Sequence, residues 1–525
     1  MEITNLVSSV WFWVVLILLI VIVRDVFIQK SHTITHNFPI VGHIRYWLEK
    51  IGPELRQYIV ANNREELPFN RQERSWIYAS SKNENNLQGF GTDQDFNTPG
   101  YIFIKNAMMG YNPPANHLSK QNPGVIPANK VIGLYHNRKR PYRPYSVINI
   151  SGMSYGSLSA KAVESLNKGA KLAGCYHNTG EGSLSPYHQY GADVVLNIGT
   201  AYFGVRELDG TFSMQKLKQK VEENPQLRAI ELKLSQGAKP GKGGMLPASK
   251  INQEIADIRH IPIGKDAISP AFHAQFKTVP EMVDFIEAMA DETGIPVGIK
   301  SAIGKLEQWE ELAAYMVKTG KGPDFITIDG GEGGTGAAPH AFADHVSMPF
   351  SFAFAKIYQI FQRHELTDKI FFIASGKLGF PEKALMAFAM GADSINVARE
   401  AMMSIGCIQA QKCHTNHCPT GIATSNKWLQ AGIDVTLKSE RFYRYHYTIV
   451  KEIAEITHAC GYEHPSQMTM DDIELSMGDN NRTITLAKAY GYHKTPIAYQ
   501  DFKDLVGCPH LGGQDARNRL EIKAD

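Results

Sequence analysis

Cysteine is scarce in this chain, with 6 in 525 residues. Three of them, Cys407, Cys413 and Cys418, fall in the single stretch GCIQAQKCHTNHCPTGIAT (406–424), while Cys175, Cys460 and Cys508 lie far apart and read as ordinary thiols. That distribution excludes a secreted disulfide framework and leaves thiol chemistry or metal ligation in a reducing compartment. An excess of either charge is missing too: 54 Lys plus Arg stand against 52 Asp plus Glu, and no long basic run interleaves with aromatics. Nucleic acid is therefore not an expected partner. No G-x-G-x-x-G follows the first candidate strand, which argues against the dinucleotide-binding form of an open, doubly wound sheet.

Long hydrophobic runs are equally rare, but one is present. LVSSVWFWVVLILLIVIV, Leu6 to Val23, carries no charge and has the length of a helix that crosses a bilayer. No basic residue precedes it and no small-x-small cleavage site follows it, so it reads as an uncleaved anchor and not a signal peptide. Glu2 before it and Arg24 and Lys30 after it predict a single pass through the plasma (inner) membrane with the remaining chain on the cytoplasmic side. Residues 1–30 are thus the expected anchor and 31–145 a connector and N-terminal cap. His32, His36 and His43 in that connector lack acidic or thiol partners at metal-ligand spacing and read as surface or packing residues.

From residue 146 short β-branched runs alternate with helical stretches. SVINIS (146–151), CYHNTG (175–180), DVVLNIG (193–199), RAIELKLS (228–235), PVGIKS (296–301), DFITIDG (324–330), KIFFIAS (369–375) and DSINVAR (393–399) make eight strands. Helical patterns such as SAKAVESLNKGAKLAG, VPEMVDFIEAMADETG and FPEKALMAFAMGA lie between them. The repeat predicts an α/β fold, a (β/α)8 TIM barrel over 146–430, with a helical C-terminal extension over 431–525 that includes RFYRYHYTIVKEIAEITHACGYE and RTITLAKAYGY.

Glycine and polar residues gather just after the C-terminal ends of these strands, where barrels build their sites. ASGKLGFPEK after the seventh strand and VAREAMM after the eighth offer backbone N–H groups at Gly376, Lys377, Ala398 and Arg399, in the loops that commonly seat a phosphate. DGGEGGTGAAP (329–339), which holds Gly333 and Gly334, lets a flat cofactor approach the backbone closely. The three-cysteine segment follows directly. Its spacing alone admits zinc, with His414 or His417 as a fourth ligand, or an iron–sulfur cluster. Adjacency to a phosphate loop and the Cys418-Pro419 ending favour a redox cluster.

SGMSYGSLS, NTGEGS, LSQGAKPGKGGMLP, GGTGAAP and GCIQAQKCHTNHCPTGIAT occur in that order between about 146 and 430. In this the chain resembles the FMN-binding synthase domain of glutamate synthase, and in layout the stand-alone, membrane-anchored proteins of that kind. The resemblance implies FMN and a [3Fe-4S] cluster held by Cys407, Cys413 and Cys418. It places Gly152, Met153 and Ser154 at the flavin ring, Gln236 and Lys300 at its polar edge, Gly333 and Gly334 beside it, and Gly376, Lys377, Ala398 and Arg399 at its phosphate. Lys300 would stabilise the reduced anionic ring. Ser154, Lys239 and Arg259 would hold a 2-oxo acid, expected to be 2-oxoglutarate, and Glu181 would manage protons or ammonia. On residue type alone, Lys239 and Glu181 read as loop charges and Arg259 as a helix-surface residue.

The sequence contains no glutaminase or NAD(P)H segment, so external ammonia and an electron donor such as a ferredoxin or a reductase are expected. By the same resemblance Lys242 and Met245 stand where the family usually has Glu and Gln, and Met245, in the substrate region, opens the alternative of an oxidoreductase of another oxo or imino acid; a membrane-docked electron-transfer subunit is a further alternative of a different class.

Overall fold

The computed structural model describes residues 10–29, 32–478 and 482–499. Leu6 and the next three residues of the apolar run, Glu2, Lys30 and Cys508 lie outside the described residues. The chain forms two compact units, Met1–Arg74 and Ser75–Asp525.

In the second unit, eight parallel strands close into a barrel: β1 (Ile148–Ile150), β2 (His177–Asn178), β3 (Val194–Ile198), β4 (Leu227–Lys233), β5 (Val297–Ser301), β6 (Phe325–Asp329), β7 (Phe371–Ser375) and β8 (Ser394–Val397). Each pairs with its neighbour in sequence, and β8 returns to β1 through Ile395 opposite Ile148 and Val397 opposite Ile150. The predicted eight-stranded barrel is thus the observed fold. Most of these strands are buried along their whole length, which is why they read as continuous apolar runs and not as alternating ones.

Helices follow the strands: α1 (Ala160–Ala173), α2 (Met214–Glu223), α3 (Val279–Thr293), α4 (Glu307–Thr319), α5 (Phe350–Arg363), α6 (Pro381–Met390) and α7 (Arg399–Ser404). Their ends carry the expected signals. Thr278 and Glu281 form a capping box at the start of α3, Ser159 caps α1, and Pro381 opens α6. Helix α8 (Val435–Ala459) packs on α1, and Gly169 permits the close approach: a Cβ there would lie 2.8 Å from both Phe442 Cδ1 and Ser439 O. The helical expectation for 482–492 is corrected in part. Thr483–Thr485 is a strand paired with Ile473–Ser476, which also pairs with Ile102–Ile104, and helix begins only at Leu486.

The N-terminal end of the barrel is sealed by residues before β1. Ala128, Ile132 and Tyr142 pack with Tyr176, Val195, Ala229, Phe325 and Phe371. Beside them the buried Asp324 accepts from Arg138 Nε (3.0 Å) and from the backbone of Val297 (2.8 Å), while Arg138 also grips Glu287 through two nitrogens. With that end plugged, the C-terminal mouth is left for a ligand.

In the first unit, Val10–Val23 is α-helical and continues as a π-helical turn, Arg24–Ile28. The combined 19-residue helix is long and apolar enough to cross a membrane. Helix Val41–Leu55 and its continuation Arg56–Val60 follow.

Candidate active site

The mouth is organised by charged residues at strand ends. Glu231, on β4, is 1% exposed and accepts from Asn178 Nδ2 (2.8 Å), Asn197 Nδ2 (2.6 Å) and Thr327 Oγ1 (2.7 Å), joining β2, β3, β4 and β6. Lys300, at the end of β5, lies 3.7 Å from Asp329 Oδ2 on β6. Burial alone would discharge Lys300, but the carboxylates of Asp329, Glu231 and Glu181 outweigh it and raise its pKa, so a buried cation stands at the mouth. Asp329 also accepts from the backbone N–H of Gly237 (2.9 Å). Gly237 comes so close to the loop after β6 that a Cβ would sit 1.8 Å from Gly330 O.

A second cluster lies alongside. Glu181, in the turn after β2, is 3.3 Å from Lys233 Nζ at the end of β4. Burial pushes the Glu181 pKa up, yet Lys233, Lys239 and Arg259 together pull it below the ordinary glutamate value, so the group is a carboxylate at neutral pH. Lys239 and Arg259 come from the long excursion between β4 and α3. Both are buried, at 5% and 3% exposure, which displaces the surface reading that residue type suggested. Lys239 donates to Ala337 O (3.1 Å) in the loop after β6, and its pKa is lowered by burial against the pull of Glu181. Arg259 ends helix Gln253–Arg259, donates to Tyr155 O (2.8 Å) and Ser154 Oγ (3.3 Å), and lies over the Phe203 ring. Burial lowers its pKa to about 10, opposed by Glu181, and its Nε has no hydrogen-bond partner. Two glycines make this possible. A Cβ on Gly182 would be 2.7 Å from Arg259 Nη2, and one on Gly244 would be 2.1 Å from Glu181 Oε1. Glu181, Thr200, Lys233, Gln236, Lys242 and Gly244 help line a small pocket here.

The remaining loops converge on the same mouth. Gly152 abuts the turn after β2, where its Cβ would be 2.9 Å from Asn178 Oδ1, and Gly180 comes equally close to the backbone of Met153 and Ser154. Gln236 accepts from Lys233 Nζ. Arg399 donates to Glu332 O and lies against Gly334, where a Cβ would be 2.7 Å from its Cδ. Gly333 sits in the same turn, its N–H bonded to Gly330 O (2.9 Å). Gly376 (φ +149) and Lys377 (φ 57) adopt left-handed backbone after β7, and Ala398 caps α7.

Beyond α7 the three cysteines converge without a disulfide. Cys407 is pushed up to about 12 by burial and then by the other two thiols. Cys413 is raised by burial and Cys418. Burial acts the same way on Cys418, but the Thr420 hydroxyl and backbone N–H groups of Ala423, Thr420 and Ile422 reverse it and lower its pKa. Tyr78 donates to Cys407 O (2.8 Å), and Asn416 ties the loop to Ser249 O (2.8 Å). Lys250, 2% exposed, donates to Ser157 O (2.7 Å) and Cys413 O (3.4 Å).

Sequence reasoning missed Glu231, Lys233, Asp329 and Lys250. Three of them stand at or near strand ends within segments already marked as strands, and a charge inside an otherwise apolar run is the signal that could have found them.

A closed parallel barrel whose mouth carries buried cations, glycine loops and a three-thiol segment defines a class of ligand-binding barrel. The sequence pattern described as "Conserved region in glutamate synthase" matches residues 119–463, and the chain belongs to the glutamate synthase family. The glutamate synthase large subunit-like protein YerD of Bacillus subtilis (strain 168) is 40% identical over 484 residues, covering 86% of this chain and 91% of YerD. The archaeal-type glutamate synthase [NADPH] of Thermotoga neapolitana is 32% identical over 317 residues, which cover 60% of this chain and 59% of that protein. Among solved structures, a mandelate oxidase variant shows a TM-score of 0.41 at 14% identity, covering 75% of this chain and 96% of that one. At that level the barrel rests on the strand pairing itself.

Proposed function

We propose that this chain is an FMN- and iron–sulfur-dependent oxidoreductase that reductively aminates a 2-oxo acid, 2-oxoglutarate first, to the amino acid, with ammonia as nitrogen donor. The observation that carries the reading is the clustering of two buried cations, Lys239 and Arg259, about an ionised Glu181 that itself lines the pocket. A dicarboxylate needs two cations, and the unpartnered Nε of Arg259 is a buried donor awaiting an acceptor.

The residues present fit both groups. Gly152, Gly333 and Gly334 would let a flavin ring approach the backbone closely, Gly376, Lys377, Ala398 and Arg399 would supply backbone N–H groups and positive charge for its phosphate, and Lys300 would supply a fixed cation for its ring. Three thiols that act on one another electrostatically suit a polynuclear iron–sulfur group. When bound, the flavin supplies hydride to an imine carbon and the cluster supplies single electrons. The chain's own part is orientation and charge. Arg259 and Lys239 hold the substrate carboxylates, Ser154 fixes Arg259, and the Glu181 carboxylate takes a proton from ammonium and returns it to the carbinolamine hydroxyl, which leaves as water to give the iminium.

Residues 1–30 anchor the barrel (146–430) to the membrane in this reading, with the catalytic part in the cytoplasm and a ferredoxin or reductase as electron source. Met245 favours a second reading, another oxo or imino acid. It follows Gly244, which lines the pocket beside the Glu181 carboxylate, and is 48% exposed.

Anaerobic purification followed by assay of flavin, iron and acid-labile sulfide tests the cofactor assignment. FMN together with iron and sulfide is expected, with Cys413→Ala losing iron but keeping FMN. Zinc in place of iron, or a protein that takes up no flavin, would overturn it.

A further inference from the structure

The first unit carries an exposed apolar face with a defined position. In Val41–Val60, at about 100° per residue, Val41, Ile44, Trp47, Leu48, Leu55 and Ile59 fall within an arc of about 120°. All six are exposed, Trp47 at 60% and Ile59 at 72%. Arg45 and Arg56 border one edge of the arc, Glu54 borders the other with Lys50 beyond it, and Glu49 is on the polar side.

This helix is fixed to the end of the apolar Val10–Ile28 helix. His43 Nε2 lies 2.7 Å from Asp25 Oδ2, and Asp25 is fully buried. Gln29 Nε2 donates to Thr35 Oγ1 (2.9 Å) and His32 O (2.9 Å), which ties the connecting turn. Gly42 allows the contact: a Cβ there would be 2.9 Å from both Ile34 O and Thr35 Cα.

We propose that Val41–Val60 lies flat in the headgroup region of the bilayer that Val10–Ile28 crosses, with its apolar arc in the acyl chains. The occupant of the face is lipid. Continuity with the spanning helix brings the arc to the membrane surface, and the arc's width, its tryptophan and its flanking arginines are those of an interfacial helix. The opposite charges nearly cancel, so apolar burial and not anionic-lipid attraction holds the helix down. The inference rests on the membrane-anchor reading.

The full chain in vesicles of phosphatidylethanolamine and phosphatidylglycerol provides the test. A photo-reactive benzoylphenylalanine replaces Ile44, Leu48, Glu49 or Ile17, one at a time, and adducts are identified by mass. Lipid adducts at 44, 48 and 17, with few at 49, are expected. Lipid adducts at 17 with none at 44 and 48 would overturn the interfacial helix while leaving the anchor intact, as would adducts to protein at 44 and 48. No lipid adduct at any position would overturn the anchor and the helix together.

Discussion

Lys233 Nζ lies 3.3 Å from Glu181 Oε2, a pair that joins the end of β4 to the turn after β2 across the mouth of the barrel. Lys233, with Lys239 and Arg259, holds Glu181 ionised despite its burial. A glutamate whose folded pKa is depressed adds stability that is fully present above its unfolded value and is lost as pH falls through the folded one. Glu181→Gln removes that contribution, so its melting temperature should fall less steeply than the parent's as pH drops below about 4.5. The same variant should lose about 100-fold or more in amination rate while keeping its flavin. Thermal melts across pH and stopped-flow rates check the two halves separately.

Lys239→Ala and Arg259→Ala should each raise KM for the 2-oxo acid by about tenfold or more, the loss of one charge-assisted contact, with flavin and iron contents unchanged. Steady-state kinetics with a chemical reductant measures this. Unchanged KM in both would remove them from the substrate site.

Glu231→Ala strands three buried donors, on Asn178, Asn197 and Thr327. At about 1 kcal/mol or more for each donor left unpaired, the barrel should lose about 3 kcal/mol, read as a lower denaturant midpoint. Glu231→Gln keeps an acceptor and should cost less.

Met245→Gln introduces the residue that the resemblance implies at this position. Because the position adjoins Gly244 of the pocket lining, the variant should shift the preference toward 2-oxoglutarate over monocarboxylic 2-oxo acids, measured as a ratio of kcat/KM values.

Most of the barrel strands were legible because burial on both faces writes them as apolar runs between helices, whereas β2, the polar pair His177–Asn178, was placed by its position in the repeat. Thr483–Thr485 was not, because it is short and at the edge of a small sheet whose other strands lie at Ile102–Ile104 and Ile473–Ser476, so only tertiary pairing defines it. The site divides the same way. Glycine loops and cysteines announce themselves by spacing, whereas Lys233 with Glu181 and Lys300 with Asp329 are partnerships across strands distant in sequence. Arg259 looked like a helix-surface charge because its seven-residue helix shows little periodicity, and only the fold buries it.

The most direct test of the central claim is to reduce the anaerobic, FMN-loaded protein and add 2-oxoglutarate with ammonium. The account predicts reoxidation of the flavin with stoichiometric glutamate, slowed in Arg259→Ala at 2-oxoglutarate concentrations that saturate the parent. Flavin that stays reduced with 2-oxoglutarate and with every other 2-oxo acid offered, in a protein that carries both cofactors, would contradict it.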